Sequence, residues 1–417
     1  MSLALKVLVA LVAGLALGLG FTSYSPESAS AVAGALQPVG TLWVSAIRMA
    51  IIPLVVSSLL LGVGGAPDAR TVGVLGAKGF AMFLAALTAA GLFAVAIAPF
   101  VFSGLNIDPA AAESLRAGAA QAGATAVEGA KQLPSVTQWF VDLVPVNPIK
   151  AAADGALLPL IVFSIAMGAA LTKVEAGRRA VLLNVMAAVQ EACLMVMRAV
   201  IAVAPIGVFA LAFVLATRVG FAAAGALATY IVVVCAILTA LCLLIFYPAA
   251  VIFGGVKFGE FARAILPAQA VAFSARSSLA AFPAMLTAAR GTLGLSEPVI
   301  AFLLPVMITM FRAGAVVGQL VGAMFIAKLY GIELSTVQYA TLTVTSIATS
   351  FSVPGIPGGS IIMMVPVLLA VGLPAEGVGV LLAVDTIPDM FRTTTNVTAD
   401  LAAAVILDRK RVASSGL

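Results

Sequence analysis

Histidine is absent from this 417-residue chain, and charge is scarce: Asp, Glu, Lys and Arg make up 9% of it, against about a quarter in an ordinary soluble domain. Without an imidazole, proton chemistry near neutral pH falls to carboxylates held in unusual surroundings. Cysteine is nearly missing as well. Cys193, Cys235 and Cys242 lie in apolar stretches with no metal-ligand spacing, so they are expected as small core residues. What remains is apolar: 63% of the residues are hydrophobic and the mean hydropathy is +1.19. Apolar runs of 18 residues or more recur along the whole length, which excludes a soluble globular domain and predicts a polytopic helical membrane protein. The net charge of +5 is then a topology signal rather than a sign of nucleic-acid binding, because the basic residues sit in short loops.

Full spans are predicted at about 3–21 (a retained span rather than a cleaved leader), 42–63, 80–102, a proline-broken element around Val144-Pro-Val-Asn-Pro148 and 157–171, 181–215 bent at Pro205, 222–253, 298–327 with Arg312 near its middle, and a last span containing Asp385 to Leu407. The segment 103–138 is small-residue-rich, carries both charge signs and is expected outside the bilayer without regular structure. Two apolar stretches are interrupted instead of continuous. The first, 265–289, is broken by Ser274-Ala-Arg276-Ser277-Ser278, and the second, 337–371, by Ser350-Phe-Ser352-Val-Pro354-Gly355-Ile356-Pro357-Gly358-Gly359-Ser360. Arms of roughly ten residues are half of what about 30 Å of hydrocarbon requires, so both are predicted as re-entrant hairpins. Paired interruptions of this kind point to a transporter site at mid-membrane. With eight spans, two hairpins and both termini in the cytoplasm, Lys6, Arg70, Lys78, Lys173, Arg178, Arg179, Lys257, Arg263, Arg290, Arg409, Lys410 and Arg411 lie inside. Arg116, Lys131, Arg218 and Lys328 lie outside, as the positive-inside rule requires.

The last span holds the most informative pattern. Asp385, Asp389, Arg392, Asn396 and Asp400 follow at steps of 4, 3, 4 and 4, which places all five within roughly 80° on a helix. Ionisable residues at membrane depth are costly and face a functional cavity. Three Asp and one Arg do not neutralise one another. The Arg392 fork suits a carboxylate, Asp389 one turn earlier suits an ammonium, and Asp400 with Asn396 forms an oxygen-rich locus for a hard cation or a proton. Helix N-termini at the hairpin tips, with Ser277 and Ser278, suit a second carboxylate. An intramembrane aspartyl protease is disfavoured because Asp385 and Asp389 share one helix and no second span supplies a catalytic Asp. A channel is disfavoured by the two half-length hairpins and the single binding-type Arg.

The pattern Asp-x3-Asp-x2-Arg-Thr-x2-Asn-Val-Thr-x-Asp, present as Asp385, Asp389, Arg392, Thr393, Asn396 and Asp400, resembles the dicarboxylate/amino acid:cation symporters, the glutamate-transporter family. Val144-Pro-Val-Asn-Pro148, Ala204-Pro-Ile-Gly-Val-Phe209, Arg276-Ser-Ser278 and Gly355-Ile-Pro-Gly358 are similar to further landmarks, so the likeness covers nearly the whole chain. It implies an all-α elevator-type transporter in the inner (plasma) membrane, a homotrimer and no enzyme. Scaffold spans would lie in 1–66 and 104–220, and a mobile transport domain in 67–103 and 221–417. It implies that Arg392 binds the side-chain carboxylate of an acidic amino acid and Asp389 its amino group. Thr393, Asn396, Arg276, Ser277, Ser278, Ile356, Pro357, Gly358 and Ser360 would complete the site, and Asp400, with the backbone near Thr309, would hold sodium. A C4-dicarboxylate or other organic anion, carried with sodium, is the alternative cargo.

One stretch departs from the family. Where it has Asn-Met-Asp-Gly-Thr, this chain has Phe311-Arg312-Ala313-Gly314-Ala315, and Ala85 and Ala89 flank Thr88 where other ligands of that sodium site would lie. Arg276, Arg312 and Arg392 then balance Asp385, Asp389 and Asp400. Sodium coupling is therefore expected to be reduced or absent, with a proton or substrate exchange in its place.

Overall fold

The computed structural model describes residues 3–65, 69–105, 107, 109–131, 136–218, 224–351, 359–382 and 384–408. Every element among them is helical. The chain opens with α1 (Leu3–Tyr24) and α2 (Pro26–Gly64). The loop expected between the first two spans is instead the first part of α2. Pro26 and Glu27 stand in its opening turn, where a missing N–H costs nothing and a negative charge meets the positive end of the helix.

After α3 (Ala69–Ser103), the segment expected to be irregular forms α4 (Pro109–Lys131) and α5 (Val136–Asp142). Alanine is the strongest helix former, and the polarity of this segment does not oppose a helix. α6 (Pro148–Ala153) is capped by Asn147, whose side-chain oxygen accepts from the Ile149 and Lys150 N–H groups at 3.0 Å. α7 (Leu157–Leu171) follows. The expected bend in the next span is a full interruption between α8 (Ala176–Ala202) and α9 (Ala204–Arg218), beside Pro205, which cannot donate to the preceding turn.

α10 (Ala224–Leu241) passes through a π-helical turn at Cys242–Phe246 into α11 (Tyr247–Gly254). α12 (Phe258–Ala275) and α13 (Ser278–Arg290) form the first hairpin. Arg276 takes the left-handed conformation at its tip (φ 50°), and the Ser277 hydroxyl caps α13 by accepting from the Ala280 N–H. The first arm is longer than expected: its 18 residues span about 27 Å, because the basic loop residues from Phe258 onward are already helical.

The span expected to be continuous over 298–327 is broken. α14 (Leu304–Met310) ends at extended Phe311 (φ −93°, ψ 101°), Arg312 is also non-helical, and α15 (Ala313–Leu329) begins beyond it. α16 (Thr336–Ser350), α17 (Gly359–Ile362) and α18 (Met364–Leu369) build the second hairpin region, whose tip at 352–358 lies outside the described residues. α19 (Val378–Leu382) leads to α20 (Thr386–Leu407).

Two packing groups emerge. α1 and α2 pack on α9, and α2 also on α7 and α8. Trp43 donates to the Val200 carbonyl at 3.1 Å, and a Cβ at Gly207 would lie 2.2 Å from the Trp43 ring. The second group surrounds α20, which touches α3 and α10 to α15. α4 lies across α18 and α19, with Gly123 against the Glu376 carbonyl and the Arg116 guanidinium 5.2 Å from the Tyr330 ring centre.

Candidate functional site

α20 is polar along one face yet buried on nearly all sides, and the sequence explains how α15 comes so close. Gly314, Gly318 and Gly322 recur every four residues. A Cβ at Gly314 would stand 2.2 Å from the Arg392 carbonyl, one at Gly318 2.4 Å from the Arg392 side chain, and one at Gly322 2.8 Å from Leu381. Small residues at this spacing let two helix backbones approach. The register runs antiparallel, rising along α15 as it falls along α20. At the break, the Gly314 N–H donates to the Asn396 side-chain oxygen at 2.7 Å. This satisfies one of the free N–H groups that open α15.

The charged residues of the seam fall into two sets. Arg392, 2% exposed, reaches back along its own helix. One terminal nitrogen lies 2.7 Å from Asp385, and the other bonds Asp385 at 2.9 Å and Asp389 at 3.0 Å. The expectation that the seam leaves its charges unpaired is thus corrected for this half: spacings of seven and three bring both carboxylates to one guanidinium. Asp400, wholly buried, has no hydrogen bond to either oxygen. Arg312, also buried, has an unpartnered Nε and, among the described residues, no carboxylate within ion-pair distance of 4.0 Å.

Ten buried side-chain polar atoms lack a hydrogen bond among the described residues. Two of them, an Arg392 terminal nitrogen and an Asp385 oxygen, face each other as the 2.7 Å ion pair, and six more belong to Ser278, Arg312, Asp389, Arg392 and Asp400. Unsatisfied buried polar atoms are rare in native proteins, and their concentration here singles this seam out as the candidate site.

The remaining candidates are placed as follows. Arg276 is half-buried and its guanidinium reaches the Thr386 hydroxyl at 3.5 Å. Thr393 is buried on α20. The Thr309 hydroxyl turns back to the Pro305 and Val306 carbonyls. The Ser360 carbonyl accepts from Gln319 at 3.4 Å. Ile356, Pro357 and Gly358 lie outside the described residues.

Two glutamines were missed. Gln319 on α15 also accepts from Thr349 at 3.0 Å and so ties both sides of the second hairpin to α15. Gln269 on α12 donates to Thr398 on α20 at 2.8 Å. Their signal was available: each is a lone amide in an apolar helix.

The residues at the break do not suit a sodium ion. Phe311 is fully buried and stacks on Phe83 with ring centres 5.0 Å apart and 14° between planes. Arg312 is a cation, and Ala313 offers no side-chain oxygen. The Asn396 oxygen already accepts from Gly314. Among the described residues no three acidic, Cys or His side chains gather as a metal site.

A family profile described as the sodium:dicarboxylate symporter family matches residues 3–410. The chain is similar to the proton/glutamate-aspartate symporter of Escherichia coli (strain K12), with 29% identity over 412 residues, 97% of this chain and 92% of the relative. It is similar to the proton/sodium-glutamate symport protein of Bacillus subtilis (strain 168), with 30% identity covering 90% and 86%. To the human neutral amino acid transporter B(0) it is 31% identical, covering 97% and 79%.

Proposed function

The chain belongs to the sodium:dicarboxylate symporter family, and from that premise we propose that it is a secondary active transporter of acidic amino acids in the plasma membrane. The observation that carries this reading is the Arg392 cluster: a buried guanidinium held by Asp385 and Asp389 with its Nε and one Asp389 oxygen unpartnered. A substrate carboxylate takes the free Nε–H and the neighbouring terminal N–H in bidentate fashion, displacing Asp389, and the substrate ammonium meets the freed Asp389. Ser278 at the start of α13 offers its free hydroxyl to the other carboxylate. The relatives named for glutamate and aspartate support this choice of cargo.

The two packing groups support an elevator-like mode of transport. α1, α2 and α7 to α9 form the scaffold, and α3 with α10 to α20 form the moving body that carries α20 across the membrane. In this reading the two hairpins gate the site from opposite sides, the protein is a homotrimer and both termini are cytoplasmic. The second hairpin acts as a lid that Gln319 holds to α15.

The test is counterflow of labelled L-aspartate into proteoliposomes loaded with unlabelled substrate, with L-glutamate, succinate and L-alanine as competitors. Competition by L-glutamate and not by L-alanine is expected. A C4-dicarboxylate is the second reading, favoured by the commitment of one Asp389 oxygen to Arg392. Succinate competing better than L-glutamate would establish it and remove the amino acid assignment.

A further inference from the structure

The unwound break in the α14–α15 span carries a buried cation, Arg312, and the seam it faces holds a carboxylate, Asp400, that makes no hydrogen bond among the described residues. Gly314 meets Asn396, and Gly318 meets Arg392. In this antiparallel register the residue two before Gly314 lies level with the turn of α20 beyond Asn396, which holds Asp400. Both groups are buried without a partner there: the Arg312 Nε and both Asp400 oxygens make no hydrogen bond among the described residues. A buried carboxylate without hydrogen bonds is costly unless a counter-charge lies near.

The geometry points to Arg312 as an internal counter-cation: we propose that its guanidinium holds the place of a bound monovalent cation opposite Asp400, and that removing it opens a cation site there. The proposal deepens the transporter reading and rests on it. Arginine stays charged at any working pH, and a tethered cation neither dissociates nor depends on the salt gradient. The rest of the break is consistent with a site no longer built for a metal. The Phe311–Phe83 stack and the Ala313 methyl supply no oxygen, and Asn396 is engaged by the backbone of α15. The seam is then balanced by protein groups: Arg392 with Asp385 and Asp389, Arg312 with Asp400, and Arg276 at the hairpin tip. The consequence is a carrier that exchanges acidic amino acids without sodium as an obligatory partner.

The test compares the full-length wild-type protein with Arg312→Lys, Arg312→Met, Asp400→Asn and the Arg312→Met/Asp400→Asn double variant. L-Aspartate exchange is measured in proteoliposomes in sodium chloride and in choline chloride, and thermal melting is measured as sodium is titrated and as pH is lowered. Wild type and Arg312→Lys are expected to exchange equally in both salts, with melting indifferent to sodium. Arg312→Met is expected to lose roughly tenfold or more of its exchange in choline. Sodium, or a lower pH if the proton is the occupant, should restore the exchange and raise its melting midpoint. Asp400→Asn is expected to be impaired in both salts, and the double variant to recover sodium-independent exchange.

Steep sodium dependence of the wild type overturns the proposal. So does an Arg312→Met melting midpoint that ignores sodium and pH alike, or a double variant that sums the losses of the singles. If the wild type exchanges no acidic amino acid in any salt, the transporter assignment of substrate fails, and the melting of Arg312→Met still decides the counter-cation.

Discussion

Arg392 finds two carboxylates at the start of its own helix, at 2.7 and 3.0 Å, whereas Asp400, two turns further along the same face, has no cation within 4.0 Å among the described residues, and the cation proposed for it, Arg312, comes from the break before α15. The first arrangement depends only on sequence spacing and travels with α20 as a unit. The second depends on the register between α15 and α20 and on the two unwound residues that let Arg312 face the seam. A group neutralised locally can exchange one partner for a ligand without leaving a charge exposed to the interior. A group neutralised across helices fixes the relative position of those helices. We read the first as the substrate half of the seam and the second as its coupling half.

Removing Arg392 should break the comparison most severely. Arg392→Ala strands Asp385 and Asp389 in the interior, and breaking a buried pair in this way costs on the order of 3–5 kcal/mol. L-Aspartate binding by calorimetry should weaken by about 100-fold or more. Arg392→Lys keeps the charge without the planar fork and should bind roughly tenfold more weakly than wild type. Unchanged binding in Arg392→Ala would remove the substrate half of the account.

Next in size is the glycine seam. Gly314→Ala places a Cβ 2.2 Å from the Arg392 carbonyl. Backbone cannot give way there, so a loss of about 1–3 kcal/mol is expected in thermal or denaturant melting. Gly20→Ala in α1 is the control, because nothing lies within 4 Å of that position. It should be neutral or stabilising by up to ~1 kcal/mol through helix propensity. Equal effects at the two glycines would show that the close α15–α20 approach does not set the geometry of the seam.

The smallest effect sharpens the role of the lid. Gln319→Leu removes the hydrogen bonds to Thr349 and the Ser360 carbonyl. At about 1 kcal/mol of net contribution, amide exchange over 336–350 should quicken roughly fivefold while α12 and α13 stay unchanged. No change in that helix would place its anchoring elsewhere.

The all-helical membrane class, the turn at the Ser274–Ser278 interruption and the polar face of α20 were legible because each is written in local pattern. Apolar run length, a Ser-Ala-Arg-Ser-Ser interruption and a four-three-four-four spacing need no tertiary knowledge. α4 was not legible because its alanines were read as loop-forming small residues, although they favour helix. The break at Phe311–Arg312 was missed because it carries no proline and its glycine, Gly314, falls after the break. What holds that break is the Asn396 side chain, 82 residues away. The pairing of Arg392 was hidden by its own spacing: three and seven residues serve a ligand site and an internal ion pair equally well. Burial decides between those uses only when the neighbouring helices are known.

In this reading α20 carries an acidic amino acid in a seam whose charge the protein itself balances. A calorimetric titration of L-aspartate into the wild-type protein, repeated from sodium-free choline buffer to saturating sodium, tests it most directly. The account predicts binding of the same affinity throughout. An affinity that climbs steeply and cooperatively with sodium would contradict it.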